Sequence, residues 1–415
     1  VHILVVHQHY LSAGQPGGSR FNEFARLWCE AGHQVTVLAG TVNYATGETN
    51  PNYRRRVVTE EREGAVRVLR CRVPESYSKS YVGRAWAFAG FAMSSTYALA
   101  YVQRPDVIIA TSPPLTTALT GAAAARRWGR RVPWIFEVRD LWPESAVTTG
   151  VLSPGSPIVQ ALYRIERLAY RDSSLINVLT PAFRDDIVRR GLASEAKISL
   201  IPNGADLDLF SPGERNNDLR RDLGWGDRFV VMYAGAHGRA NALQQLVDTA
   251  ERLRSRPEIL IACVGDGPER AELTRTAKER GLENIVFHGP LPKAAMPSVV
   301  AACDVGSAVL QRNPTFRTVY PNKVFDYMAC ERPVLLAIDG VARKLVCEEA
   351  QAGVFVEPED PDQIAAGILA LADDPEGRAE MARRGRSWVV ENASREALSL
   401  RYLSAMEKLV TARTD

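Results

Sequence analysis

The chain has 415 residues, 46% hydrophobic and 24% charged, which excludes a disordered or fibrous protein and exceeds one core, since cores stop growing near about 250–300 residues. Its net charge of +3 hides an asymmetry: residues 1–205 carry 24 Lys and Arg against 16 Asp and Glu, a net +8, and residues 206–415 carry 27 against 32, a net −5. A basic half can face phosphates, an anionic membrane or nucleic acid, and charge alone does not choose among them.

Residues 2–6 (HILVV) read as a buried strand, residues 12–19 as a Gly-rich turn, and residues 20–31 as a helix with Phe21, Phe24, Ala25, Leu27 and Trp28 on its apolar side. Gly32 ends that helix and residues 35–39 form the next strand, giving a βαβ unit. Strands are expected at 65–70, 107–110 and 134–138, with helices at 118–128 and 158–171, an alternation that implies a parallel sheet covered on both faces. Residues 85–102 are uncharged between Arg84 and Arg104. They are near the lower limit for a spanning helix, but Ser94, Ser95, Thr96, Tyr97 and Tyr101 favour a core or interfacial helix, with membrane contact kept open.

The pattern restarts after a turn-rich hinge at 200–212: strands at 229–234, 259–264, 285–287, 305–309 and 334–337, a Gly-rich turn at 235–238 and a helix at 243–253. Two doubly wound α/β domains are expected, 1–203 and 204–395, with a C-terminal helix at 396–415 packing back towards the first. Open sheets of this class bind ligands at the carboxyl ends of their strands. Two such domains facing a central cleft would offer one half-site to a donor and one to an acceptor.

Residues 319–330 (VYPNKVFDYMAC) carry the most chemistry. Pro321 fits the first turn of a helix, whose unpaired N–H groups and partial positive charge suit a diphosphate. Lys323 adds a full charge in the same turn, and Asp326, one turn on, can accept hydrogen bonds from ribose hydroxyls. An amphipathic helix with a solvated Lys and Asp is the plainer alternative. Gly17 and Gly18, directly after the first strand, would let backbone approach phosphates. Glu137, Arg139, Asp140 and Glu144 gather after the strand at 134–138; Asp140 could orient or deprotonate an acceptor hydroxyl, or the Arg-Asp pair could serve packing. Asp206-Leu207-Asp208 and Asp360-Pro361-Asp362 imitate a metal-binding DxD but read as turn and capping acids, so no metal or other cofactor is expected. The basic groups 54–56 and Arg126, Arg127, Arg130 and Arg131, with Trp128, could face anionic lipid. Six scattered cysteines without a CxxC pair or zinc spacing, and no signal-peptide pattern, point to the cytosol, including the inner face of the membrane.

The run at 319–330 resembles the donor-binding segment of retaining GT-B glycosyltransferases of family 4, with Asp326 where most members have Glu. TSPPLT at 111–116, VRDLWPES at 138–145, IPNGAD at 201–206, YAGAHG at 233–238, VGDGP at 264–268 and FHGPL at 287–291 match in order. Within the family the chain is most similar to the bacterial O-antigen and capsule group that adds N-acetyl-L-fucosamine or related sugars to a lipid-diphosphate-linked sugar. The resemblance implies a metal-independent, retaining transfer from a nucleotide sugar, with UDP the expected nucleotide, to a glycan acceptor in cell-surface polysaccharide synthesis. It implies that Asp326 holds the ribose, while the family's first acid falls at Thr318, leaving the donor sugar to backbone, Arg312 or Asn313. The usual clamping Arg and Lys fall at Ala236 and Ala242, so Arg239 and Lys323 become the candidates. Gly235, Val319, Tyr320, Pro321 and Asn322 would line the donor, and the backbone at Gly289 and Leu291 would read the base. Gly265–Gly267 resembles the family's GDG turn, with a plain strand-to-helix turn the alternative. Arg139, Asp140 and Glu144 would lie on the acceptor side.

Two other readings share this fold: a nucleotide-sugar 2-epimerase and a non-enzymatic nucleotide-sugar-binding module. The acidic second half and the lack of an aromatic-basic groove argue against nucleic acid. Neither Gly-rich turn spells GxGxxG, which disfavours a nicotinamide dehydrogenase.

Overall fold

The computed structural model describes every residue except 13–19, 43–48, 54–55, 76–80, 130–131, 149, 151 and 413–415. The chain divides into two compact units, Val1–Pro202 together with Glu396–Asp415, and Asn203–Arg395.

The first unit is built on eight strands: β1 (His2–His7), β2 (Gln34–Gly40), β3 (Val58–Glu63), β4 (Val66–Cys71), β5 (Val107–Ser112), β6 (Trp134–Val138), β7 (Leu175–Val178) and β8 (Ile198–Leu200). Their order is β3-β4-β2-β1-β5-β6-β7-β8, parallel except for the β3–β4 hairpin. β1, β5 and β6 are buried along their whole length, as expected where helices cover both faces of a parallel sheet. The antiparallel edge strand β3 (VTEERE) is not among the strands expected from the sequence, because four of its six residues are charged. Two of those charges are used inward: Glu61 and Glu63 pair with the buried Arg70 of β4, whose guanidinium also donates to the carbonyl oxygens of Tyr10 and Leu11 and so holds the chain leaving β1.

The uncharged segment forms the helix Tyr81–Ala98, continued by a 3₁₀ turn at Leu99–Tyr101. No helix among the described residues is long and apolar enough to cross a membrane. One face of it is core: Ala87, Phe91 and Ala98 are buried, and Ser95 Oγ lies 2.8 Å from Thr120 Oγ1. The C-terminal helix Arg395–Thr411 completes this unit. Its Leu398, Tyr402, Leu403 and Met406 share a core with Phe21, Phe24 and Trp28, and Trp28 Nε1 donates to the Ser399 carbonyl at 3.3 Å.

The second unit holds six parallel strands, β9 (Phe229–Ala234), β10 (Ile259–Val264), β11 (Ile285–Gly289), β12 (Val305–Val309), β13 (Val334–Ala337) and β14 (Gly353–Phe355), in the order β11-β10-β9-β12-β13-β14. Separate apolar clusters fill its two faces. β7, β8 and β14 are strands of three or four residues, too short to show a period. Near the unit's ends, Ala205 bridges Ser394. The two DxD look-alikes are local turn chemistry: Asp206 Oδ1 accepts from the backbone N–H groups of Asp208 and Leu209, and Asp360 caps its helix by accepting from Gln363 N–H.

Candidate functional site

In each sheet the chain winds outward from one strand in both directions, and the gap beside that strand is the topological switch point where open sheets bind ligands. In the second unit the switch lies between β9 and β12. The turn after β9 is clamped to the turn after β10 by backbone bonds: Gly235 N–H to Val264 O, His237 N–H to Asp266 O, and Glu269 N–H to His237 O, at 2.9, 2.9 and 3.0 Å. The turn after β10 is tied in the same way to β11, Gly265 N–H donating to Gly289 O at 2.9 Å. This plate tolerates no side chain at Gly265, where φ is +139° and a Cβ would lie 1.9 Å from Gly235 O. The GDG run is thus a close-packing device that shapes the Gly235 turn. Gly265→Ala is expected to lower the stability of the second unit by at least about 1–3 kcal/mol, the local cost of strained backbone; a thermal melt checks it, and an unchanged melting temperature would show that the plate tolerates a side chain there.

The helix carrying Lys323 runs Asn322–Ala329. Pro321 is its N-cap, with φ −65° and ψ 126°, and so lies one position outside the first turn in which its residue type would place it; the extended ψ directs the chain into the helix. The helix is pinned to the switch point by Tyr327, whose buried hydroxyl accepts from Ala234 N–H at 3.0 Å and whose ring fills the place of a side chain at Gly306 on β12. Lys323 then reaches under the β9 turn. Its Nζ lies 3.6 Å from the centroid of the Tyr233 ring and 2.9 Å from where a Cβ of Gly235 would be. Among the described residues no carboxylate pairs with it. Burial pushes the ammonium down to about 7, as desolvation does to a cation without a counter-ion. Asn322 Oδ1 accepts from Asn203 at 2.5 Å, and Asp326 is half-buried one turn along.

Gly289 has φ +69° and is backed by the Arg270 guanidinium, while the half-buried Leu291 packs on the core. Val319 and Tyr320 are extended chain before the helix, Tyr320 edge-on to Phe325. Arg239 opens an exposed 3₁₀ turn, Arg239–Asn241, at the far end of the same Gly-rich run. Arg312 is engaged with Glu357 and the Pro358 carbonyl, and Asn313 caps the following 3₁₀ turn through Thr315 N–H. Arg270 is not singled out by the sequence, and Tyr233 and Tyr327 enter it only within the runs at 233–238 and 319–330, because a lone aromatic in a strand or helix reads as core.

In the first unit the switch lies between β1 and β5. Gly17 and Gly18 fall outside the described residues. Arg139, just past β6, places Nη1 2.8 Å from His7 Nε2 at the end of β1. Burial first, then the Arg139 charge, push His7 well below its usual value, and His9 is likewise lowered to about 4. The two histidines of the VHQHY run are not singled out by the sequence reading, although their place at a strand's carboxyl end was the available signal. Asp140 is raised by burial, opposed by hydrogen bonds from Ser145 and the Leu141 backbone. Glu144 accepts from Tyr163 at 2.7 Å. Glu137 is corrected: it lies within β6, wholly buried, and pairs with Arg20 at 3.1 Å, so it does not join Arg139 and Asp140. Arg126 is paired with Asp172 and Arg127 lies over Trp128, while Arg54, Arg55, Arg130 and Arg131 fall outside the described residues.

Comparison with known proteins places both units. Residues 17–204 match the glycosyl transferase 4-like domain family and residues 228–374 the glycosyl transferases group 1 family. The chain is 26% identical over 360 residues to a putative colanic acid biosynthesis glycosyl transferase, WcaI, of Escherichia coli K12, covering 85% of this chain and 87% of that one. It is 22% identical over 273 residues to the probable glycosyltransferase WbjE of Pseudomonas aeruginosa, 65% and 67% covered. Among solved structures it is similar to sucrose-phosphate synthase of Thermosynechococcus elongatus, with a TM-score of 0.74 at 20% identity and 99% of each chain covered. It is also similar to HepE of Anabaena in complex with UDP, with a TM-score of 0.70 at 18% identity, 98% of this chain and 100% of that one covered. The chain is a glycosyltransferase of the GT-B fold, built from two Rossmann-like α/β domains.

Proposed function

We propose that the chain transfers a sugar, with retention of anomeric configuration, from a UDP-linked donor held by its second unit to a lipid-diphosphate-linked glycan during cell-surface polysaccharide synthesis. The observation that carries this is Lys323: a desolvated ammonium without a counter-ion among the described residues, against Tyr233 and under the Gly235 turn. Such a group is completed by an anion, and the helix start at Asn322 adds N–H donors beside it. The UDP complexes of HepE support the nucleotide, and the colanic acid relative supports the polysaccharide.

In this reading the acceptor oxygen attacks the anomeric carbon as the bond to the diphosphate oxygen breaks. The leaving oxygen keeps the electron pair and takes the acceptor's proton, so no protein nucleophile is needed. Lys323, the helix start and Arg239 stabilise the charge on the diphosphate. Asp326 holds the ribose, Gly235, Val319, Tyr320, Pro321 and Asn322 line the donor, and the Gly289–Leu291 backbone reads the base. Asp140, raised by burial, orients the acceptor hydroxyl with Arg139 and Glu144. The acceptor group follows the N-acetyl-L-fucosaminyltransferase-like resemblance. No metal takes part, and the enzyme works at the cytoplasmic face of an anionic membrane.

UDP is expected to raise the melting temperature of the chain and to do so more than GDP or ADP, because a ligand held only by the folded form stabilises it. Since Lys323 titrates near 7 when free and an adjacent diphosphate favours its charged form, binding takes up a proton. UDP affinity should therefore fall as pH rises from 7 to 9, by up to about tenfold per unit. Titration in two buffers of different ionisation enthalpy measures the uptake; a flat pH profile with no proton taken up would remove Lys323 from the phosphates.

A further inference from the structure

We propose that the outward face of the helix Tyr81–Ala98, with the groove beside it, docks on the interfacial layer of an anionic phospholipid bilayer. This rests on the membrane-borne acceptor of the reading above and names the surface that would bring the enzyme to it.

Trp86, Met93, Tyr97 and Tyr101 are 57, 57, 54 and 51% exposed. Their spacings of seven, four and four put them on one side of the helix and its 3₁₀ extension. Every aromatic or methionine more than a third exposed among the described residues lies in this stripe; the other exposed large apolar side chains are scattered aliphatics. The opposite side of the helix is fixed in the core, so the stripe is held outward by the fold.

Beside it runs a groove of about 500 Å³, lined by Val57, Pro74, Trp86, Met93, Tyr97 and Arg72. Its geometry is set by Gly90, where a Cβ would lie 2.5 Å from Pro74 Cδ: the missing side chain lets the strand end approach the helix. Ser94 Oγ donates to Arg72 O at 2.8 Å and Arg72 N–H to Val57 O at 2.9 Å, which fixes the backbone under the groove. The Arg72 side chain is exposed and makes no ion pair among the described residues. The segment Tyr81 to Tyr101 holds one charge, Arg84, and no acid.

Trp and Tyr favour a boundary where one edge is apolar and the other wet, and an exposed cation such as Arg72 beside them favours anionic lipid. A second copy of this chain fits less well. A two-fold contact through the stripe would set Arg72 against its own counterpart, with no acid on the helix to offset it.

The test is flotation of the full chain with vesicles of phosphatidylglycerol and phosphatidylcholine, or of phosphatidylcholine alone. Wild type is expected to float with the anionic vesicles, the Trp86→Ser/Met93→Ser variant to lose at least about tenfold in partition, and Arg72→Gln to weaken binding to anionic vesicles only. The UDP-induced rise in melting temperature is measured alongside and should be unchanged in all three. Loss of flotation with the UDP response intact supports the docking face; a wild type that floats but does not respond to UDP would strike the donor reading and leave the face standing. Flotation unaffected by the double variant overturns the proposal. So does a wild-type dimer that the double variant converts to monomer, because the stripe is then a self-contact.

Discussion

Replacing Lys323 by Ala is expected to lower turnover by about 10²–10³-fold, the usual cost of removing one group aimed at charge that develops in the transition state, with folding intact. The measurement is sugar transfer with whichever donor stabilises the protein best, beside a thermal melt. Folding should survive because, among the described residues, the ammonium contributes no ion pair to the unit, only the contact with Tyr233. The sign of its effect on stability follows from linkage. An unfolded chain holds Lys at its ordinary 10.5, and the folded one at about 7, so the unfolded state binds more protons between these values. Stability of the unliganded protein therefore rises with pH from 7 to 10.5, and Lys323→Ala should flatten that rise. Lys323→Arg should not restore activity, because a planar guanidinium does not replace a compact ammonium seated 3.6 Å from the Tyr233 ring centroid. Near-normal transfer by the Ala variant would take Lys323 out of the chemistry.

Glu137→Ala is expected to be the most damaging single change to stability. Arg20 and Glu137 have side chains 4% and 0% exposed. The carboxylate also accepts from Asn177 at 3.1 Å, and Arg20 donates to the Ile201 carbonyl at 2.9 Å while lying 4.8 Å over the Phe24 ring. Removing the carboxylate strands a guanidinium in the core, which costs about 3–5 kcal/mol and lowers the melting temperature of the first unit by roughly 10 °C. Scanning calorimetry should show that loss in one transition only. The transition of the second unit should stay in place, because that unit has its own core. Glu137→Gln, which keeps an acceptor for Arg20, should lose less. A melt within about 2 °C of wild type for the Ala variant would mean that the pair stabilises nothing beyond its own desolvation.

The parts of this molecule legible in the sequence are those in which one run of residues does one job. β1, β5, β9 and β10 are mostly apolar runs because helices cover both faces of their sheets, and such runs announce themselves. The place of Lys323 in the first turn of a helix was legible because a Pro before a helix start and a charge after it are local signals. The companions of Lys323 were not. Tyr233 comes from a strand of the sheet far earlier in the chain, and Gly265 matters through the carbonyl of Gly235, a relation that only strand order creates. Glu137 was misplaced for the same reason. It lies close to Asp140 in the chain, but alternation along β6 sends its side chain to Arg20 and Asn177. His7 belongs with Arg139 because β1 and β6 both flank β5, and no spacing in the chain records that.

The return of the last helix to the first unit makes the second unit, in chain order, an insertion within the first. Leu398, Tyr402 and Met406 are needed to close the cluster around Phe21, Phe24 and Trp28, so during synthesis that core stays open until residue 406 has left the ribosome. The inserted unit, whose ends meet at Ala205 and Ser394, has all its strands by residue 355. The part made first is thus the part finished last, and β1 and β6, which position His7 and Arg139, gain their full support only after the inserted unit has been translated.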